Sequence, residues 1–430
     1  MRWGVFSYWA NSYWGGTVAA IGGALVLGAL PRIFESKRPR DALLMGFGLG
    51  VLANSRPYEG LVFSLPVAVA LLTWLGKRRG AELRLTLRRV VLPLAAILLA
   101  TGAGIAYYSW RVTGNPLRSP YQVYDSAYDP VPALLGLPLG KVLPVSNPAV
   151  RAVIQGDVFL HRLSHSPVGV MEIWALDVAR MWVFFLGPLL SLPFLLLLFI
   201  LPRGNSPRTW GPPARFLSGA SIVSVCGLAT EMRGEPHYAG PMACLLLCVF
   251  LLAMKAVRNW GWRGGPAGLF VARGIPAACV ALLAIRAAAG PLGLSVKPSW
   301  FLAWYTSNPR APAIARAREE AEELPGRQLV FVRYDSYFGK ISPLEEPYEW
   351  GWNSPDIASQ KVIWADDLGS AENRKLILYF KGRNDWLLDL GSWPPKLEPY
   401  SHAGGATLNS GRGFARIFAD GTSRACCGGQ

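Results

Sequence analysis

Met181–Leu201 reads MWVFFLGPLLSLPFLLLLFIL, with no charged side chain anywhere in it. A run of that length is enough to cross about 30 Å of hydrocarbon as a helix. Water has no place for it outside a large core, and this chain supplies none: 52% of its 430 residues are hydrophobic and only 16% charged. Soluble domains carry about a quarter charged residues. The sequence therefore predicts an all-α membrane bundle, and further apolar blocks can be read at Thr17–Leu30, Ala42–Ala53, Gly60–Leu75, Val90–Tyr108, Phe216–Thr230, Ala239–Met254 and Pro266–Ala289. Short blocks are extended by interfacial aromatics such as Trp14, Trp74 and Tyr107. The last block contains Arg273 and Arg286, the latter placed to snorkel or to face a cavity. Roughly eight spans result.

The net charge of +16 tests this reading, because it could equally point to nucleic acid. Its location decides. Pro31–Asp41, Lys77–Arg89, Pro202–Arg215 and Lys255–Gly265 together carry 16 Lys/Arg and 3 Asp/Glu, whereas Pro291 onward carries 16 of each sign and is neutral. Every second link is thus basic, which assigns those four to the cytoplasm and Asn54–Glu59, Ser109–Arg180, Glu231–Tyr238 and the C-terminal region to the other face. No basic patch joins an aromatic platform, so no nucleic-acid partner is expected. Membrane lipid is. Cys226, Cys244, Cys248 and Cys279 fall in apolar blocks and read as small hydrophobes. Cys426 and Cys427 stand in a Gly-rich tail without a prenylation signal.

Polar chemistry concentrates on the non-basic side. Asn54–Gly60 (NSRPYEG) and Thr230–Tyr238 (TEMRGEPHY) are short turns loaded with titratable groups, expensive at a membrane boundary unless hydrated, paired or functional. Arg56 and Glu59 can simply close a helical hairpin as a pair. Alternatively Arg56 and Arg233 offer planar forks to a phosphate. Glu59, Glu231, Glu235 and His237 are the acid–base candidates, His237 as a proton shuttle near neutral pH, and Tyr58 and Tyr238 are candidate substrate contacts. Ser109–Arg180 reads as a long outer loop rich in Pro and Tyr, where Asp125 and Asp129 are either turn residues or substrate-binding carboxylates. Within it, Gln155–Arg180 is expected to lie along the membrane surface as a helix. His161 and His165 have metal-compatible spacing but no adjacent Glu, so packing is the default. No metal ligand set is assigned. A divalent cofactor stays open, as does the oligomeric state.

The C-terminal region, 291–400, predicts a small α/β domain: helix Pro309–Glu323, strands Gln328–Tyr334, Lys361–Trp364 and Asp385–Leu390, and a helix over Asn373–Lys381, with a partly parallel sheet. Residues 401–430 are Gly/Ser-rich and expected to be loose. The sheet lacks a phosphate loop or a Ser/Cys nucleophile motif, so catalysis is not expected there.

Phe6–Leu30 (FSYWANSYWGGTVAAIGGALVLGAL), Asn54–Leu61 (NSRPYEGL), Pro236–Pro241 (PHYAGP), Asp356–Leu368 (DIASQKVIWADDL) and Asn373–Leu388 resemble a group of bacterial multi-span membrane proteins. That group is related to the C-type (GT-C) glycosyltransferases, the protein mannosyltransferase-like and aminoarabinose transferase-like enzymes that use polyprenyl-phosphate sugars. The resemblance implies a bacterial inner-membrane enzyme with an extracytoplasmic C-terminal domain and a lipid-linked sugar donor. It implies inversion at the anomeric carbon, with a carboxylate as base. It also implies further spans and a first outer loop carrying that base, which nothing here matches, so the chain is expected to start late and to be inactive alone if that region is missing. The competing expectation is a non-catalytic membrane protein whose C-terminal domain binds an envelope partner. A transporter is disfavoured, since no internal repeat or matching pair of interrupted helices is visible.

Overall fold

The computed structural model describes Trp9, 15–141, 148–200, 211–261, 265–289, Leu292, 311–333, 353–390 and 394–401. The expected loose tail after Ser401 and the side chain of Arg286 lie outside the described residues. Two compact units are present, one of residues 1–144 and 153–309, the other of 145–152 and 310–430.

The first unit is helical: α1 Gly16–Ser36, α2 Pro39–Ser55, α3 Pro57–Gly76, α4 Gly80–Thr113, α5 Pro120–Tyr128, α6 Pro148–Leu163, α7 Pro167–Phe185, α8 Gly187–Ile200, α9 Pro212–Leu228, α10 Gly240–Arg258 and α11 Ala267–Ala289. Five of these, α1, α3, α4, α10 and α11, are long and apolar enough to cross a membrane, and α7 with α8 make a sixth if the bent pair is one span. This is a multi-pass membrane architecture. Helices α2 and α9 have 17 residues each, at the short limit for a span. Exposed Phe47, Leu61, Leu72 and Leu99 stud the outside of the bundle, as expected of a surface that meets lipid tails.

Two expectations need correction. Met181–Leu201 is not one straight span: α7 ends at Phe185 and α8 leaves it at 102°. Gly187 takes φ +60° and Pro188 follows, so the helix stops and restarts in a new direction. Nor is Ser109–Arg180 one loop containing a single surface helix from Gln155. Three helices fill much of it, and α6 and α7 are separated at Ser164–Ser166, where the Ser166 hydroxyl caps the Gly169 N–H at 3.0 Å and Pro167 occupies the first turn of α7.

Small residues let the first helices approach closely. A Cβ on Gly48 would lie 2.8 Å from the Gly22 carbonyl oxygen, and one on Gly23 would lie 2.0 Å from that of Pro241, the small-residue contact used between membrane helices. At one end of this group Glu82 binds Lys37 at 2.5 Å and Arg78 at 2.7 Å. Two of the basic links read from the sequence therefore sit side by side.

The second unit is a four-stranded sheet with helices α12 (Ala311–Glu323) and α13 (Ser370–Tyr379). Strands β1 (Gln328–Arg333), β2 (Val362–Asp366), β3 (Asn384–Asp389) and β4 (Lys396–Pro399) run in the order β2-β1-β3-β4. β1 is parallel to both neighbours and β4 is antiparallel to β3, the mixed sheet that the sequence predicts with one strand added. Leu329, Val330 and Phe331 are fully buried, alternating between two apolar clusters on the faces of the sheet. At the β2 edge the Asn353 side chain accepts from the Trp364 N–H at 2.9 Å and donates to its carbonyl at 2.7 Å, occupying the positions of a neighbouring strand.

Candidate functional site

The first polar turn exists because Pro57 forbids helical geometry to the residue before it. Arg56 stands at φ −145°, ψ 78° between α2 and α3, and its side chain leaves from the tip of the hairpin. Glu59 falls in the first turn of α3, where the helix dipole favours an acid, and its carboxylate lies 3.6 Å from Arg56.

The second turn, after α9, is clamped from several directions. Residues 133–135 pair with it as a short bridge: the Leu135 N–H donates to Thr230 at 2.8 Å and the Met232 N–H to Ala133 at 2.9 Å. The Trp174 indole N–H donates to Ala229 at 2.8 Å. Arg233 binds Asp157 at 2.5 Å and Asp129 at 3.5 Å, and Arg180 binds Glu235 at 2.9 Å and lies 3.9 Å from Asp177. Gly234 is required here, since a Cβ would come within 2.3 Å of the Asp177 carboxyl carbon.

The two turns meet. The Arg56 guanidinium sits 4.5 Å from the centre of the Tyr238 ring, within cation–π range. The Tyr58 hydroxyl bonds to Thr230 Oγ1 at 2.5 Å and reaches the Gly227 carbonyl at 3.2 Å. Arg56, Tyr58 and Glu59 thus join Glu231, Arg233, Glu235, His237 and Tyr238, and Asp129 enters through Arg233. Asp125, on α5, joins less directly: burial and then Asp129 raise its pKa, against the pull of Arg233.

Charge within this cluster is unequal. Glu231 is 4% exposed and neither carboxyl oxygen has a hydrogen-bond partner among the described residues. Burial, reinforced by Glu59 and Asp177 and opposed by Arg56, pushes its pKa up to about 9, so it is an uncharged acid at neutral pH. His237 is 5% exposed, and burial followed by Arg56 drives its pKa down to about 3. It is therefore neutral throughout the physiological range, not the near-neutral shuttle that the sequence suggests. Burial pushes the Tyr238 phenol up to about 12, leaving it a hydrogen-bond donor. Asp157 is raised to about 6 by burial despite Arg233.

Sequence reading missed Asp157, Asp177, Arg180 and Tyr121. The signal for two of them was present: Asp177 and Arg180 are charges inside the apolar stretch IWALDVARMWVFF, and charge placed in such a run is costly unless used. Tyr121 lies near enough to Asp125, Asp129 and Arg233 for their charges to shift its titration. His161 and His165 spend ring nitrogens on the carbonyls of Leu137 (3.0 Å) and His161 (2.8 Å). Among the described residues no group of three or more His, Cys, Asp or Glu is placed to hold a metal ion. A cavity of about 480 Å3 is lined by Ile154, Gln155, Val158, Phe159 and Arg162 of α6, none of them a site candidate.

No protein family model, curated protein or solved structure matches this chain.

Proposed function

We propose that the chain is a membrane glycosyltransferase-like protein that handles a polyprenyl-phosphate sugar where the two polar turns meet. The observation that carries this reading is the contact of Arg56 with Tyr238 beside an uncharged Glu231 and a neutral His237. Arg56 lies 3.6 Å from Glu59, and with Glu231 and His237 neutral it is a cation that a phosphate entering from lipid would encounter, in a setting dry enough for the interaction to be strong. The resemblance to GT-C enzymes supplies the reaction class. The acceptor hydroxyl oxygen bonds to the anomeric carbon, the bond from that carbon to the lipid phosphate breaks, a carboxylate takes the hydroxyl proton, and the phosphate leaves with the electron pair. Arg56 would stabilise that leaving charge. Arg233 has a different part, because Asp157 and Asp129 already occupy it: it holds α6 and residue 129 against the second turn, positioning the site. The alternation of basic links supports an outer-face site with the C-terminal region on the same side, and the resemblance supplies the bacterial inner membrane as its setting.

The test is sugar transfer from a polyprenyl-phosphate donor by the full-length protein. Arg56→Ala is expected to lower the rate by about 100-fold, the scale of losing one charge-stabilising donor, while Arg56→Lys retains part of it. Arg233→Ala should lose activity together with protection of α6 from proteolysis. Transfer at the wild-type rate by both alanine variants would remove the proposed site.

A further inference from the structure

Helix α7 carries a pattern that the polar cluster does not use. Val168, Met171, Ala175, Val178 and Trp182 are all exposed and recur at intervals of three and four residues, so they form one apolar stripe along the helix. The opposite face is occupied: Ile173 and Phe184 are buried, Asp177 accepts the Gly234 N–H, and Arg180 binds Glu235. The stripe faces away from the protein.

What covers it follows from the next helix. α8 has no charge and exposes Leu192, Leu195, Leu198 and Phe199, the surface of a helix immersed in hydrocarbon. The 102° bend between α7 and α8 is fixed: the Trp182 indole N–H donates to Ser191 Oγ at 2.7 Å, and that hydroxyl donates to the Gly187 carbonyl at 2.7 Å. α8 has 14 residues, about 21 Å, and enters the hydrocarbon without crossing it by itself; inserted within about 20° of the bilayer normal, it leaves α7 within about 30° of the bilayer plane. We infer that α7 is an interfacial helix, its Val168–Trp182 stripe seated in the headgroup–acyl boundary of one phospholipid leaflet, and that it crosses no hydrocarbon. Trp174 and Trp182 are the side chains enriched at that depth. Through Asp177 and Arg180, α7 then sets the polar turn Thr230–Tyr238 at headgroup level. This inference needs only the membrane setting and stands whether or not the chain transfers sugar.

Depth along the stripe tests it. Single cysteines replace Val168, Met171, Ala175 or Val178 in full-length protein freed of native cysteines and reconstituted in phosphatidylcholine–phosphatidylglycerol vesicles. Each is spin-labelled, and collision with oxygen and with a water-soluble nickel chelate gives its depth. Val168 and Val178 are about 15 Å apart along the axis. The four depths are expected to fall within about 8 Å, all near the headgroups. A spread approaching 15 Å would make α7 part of a span, and labels shielded from both lipid and water would mean that protein covers the stripe; either overturns the inference. If the cysteine-free protein fails to insert, Ala175→Lys in the native background decides. An interfacial helix accepts it by snorkelling, with insertion within about twofold of wild type, whereas a severe loss of insertion, as expected at the middle of a span, rejects the assignment.

Discussion

Both units bury polar side chains, but Asn373 and Gln328 in one and Glu231 in the other are treated in opposite ways. In the C-terminal sheet, Asn373 is fully buried and fully used: it donates to Asp367 at 2.7 Å and to the Tyr400 hydroxyl at 2.9 Å, and accepts from the Leu368 N–H at 3.1 Å. Gln328 is equally buried, donating to Pro325 at 2.9 Å and accepting from the Trp386 indole at 2.8 Å. In the membrane unit, Glu231 is nearly as inaccessible and has neither oxygen satisfied among the described residues. A saturated network fixes a fold. An unsaturated buried carboxyl costs stability, and such costs persist where a ligand or a proton repays them. The contrast separates a polar core that exists to hold strands together from one with bonding capacity left for something else.

Breaking the saturated side should be the most destabilising change. Asn373→Ala leaves the Leu368 N–H and one Asp367 oxygen without their partner and is expected to cost the sheet on the order of 3 kcal/mol. Pulse proteolysis of the full chain reads this as faster cleavage confined to 311–401, with the membrane unit unchanged. Cleavage at the wild-type rate would show that the network is redundant.

Glu231→Gln should act the other way, and its sign is set by the raised pKa. Between the ordinary carboxylate pKa near 4.5 and the folded value near 9, the native state keeps a proton that the unfolded chain has lost. Stability therefore falls as pH rises through this window, by up to about 1.4 kcal/mol per unit from this group. The glutamine cannot ionise, so the variant's advantage should grow from pH 5.5 to pH 8 in denaturant unfolding of the reconstituted protein. Parallel curves for variant and wild type would mean that Glu231 is solvated after all.

The smallest effect is expected of Tyr58→Phe, which removes the hydroxyl that ties the first turn to Thr230 and Gly227. Other contacts between the turns remain, among them Arg56 on Tyr238, so the loss should be about 1 kcal/mol or less. A much larger loss would identify this hydroxyl as the principal fastening between the turns.

Much of this arrangement was readable before any coordinates. Charge-free blocks announce helices, and the alternation of basic links groups Asn54–Gly60 with Thr230–Tyr238, because both signals depend only on transfer energies along the chain. Strands β1 to β3 were legible as apolar runs between breakers. β4 was not: KLEP has one apolar residue and a proline, and it is a strand because β3 offers it a partner. The α7–α8 bend was hidden inside an unbroken apolar run, although Gly187-Pro188 marked it. Asp157 was invisible for a different reason, since nothing near it in sequence refers to Arg233, 76 positions away. A contact at that range is a property of packing.

The amide of Asn353 has a consequence for how copies of this chain could associate. Sheets left open at a margin recruit strands from neighbouring molecules and propagate into aggregates. Here one margin has its central hydrogen-bonding positions filled by a side chain, and the other ends in Pro399, which has no N–H to give. Among the described residues, both rims of the sheet therefore discourage the addition of a strand from a second copy.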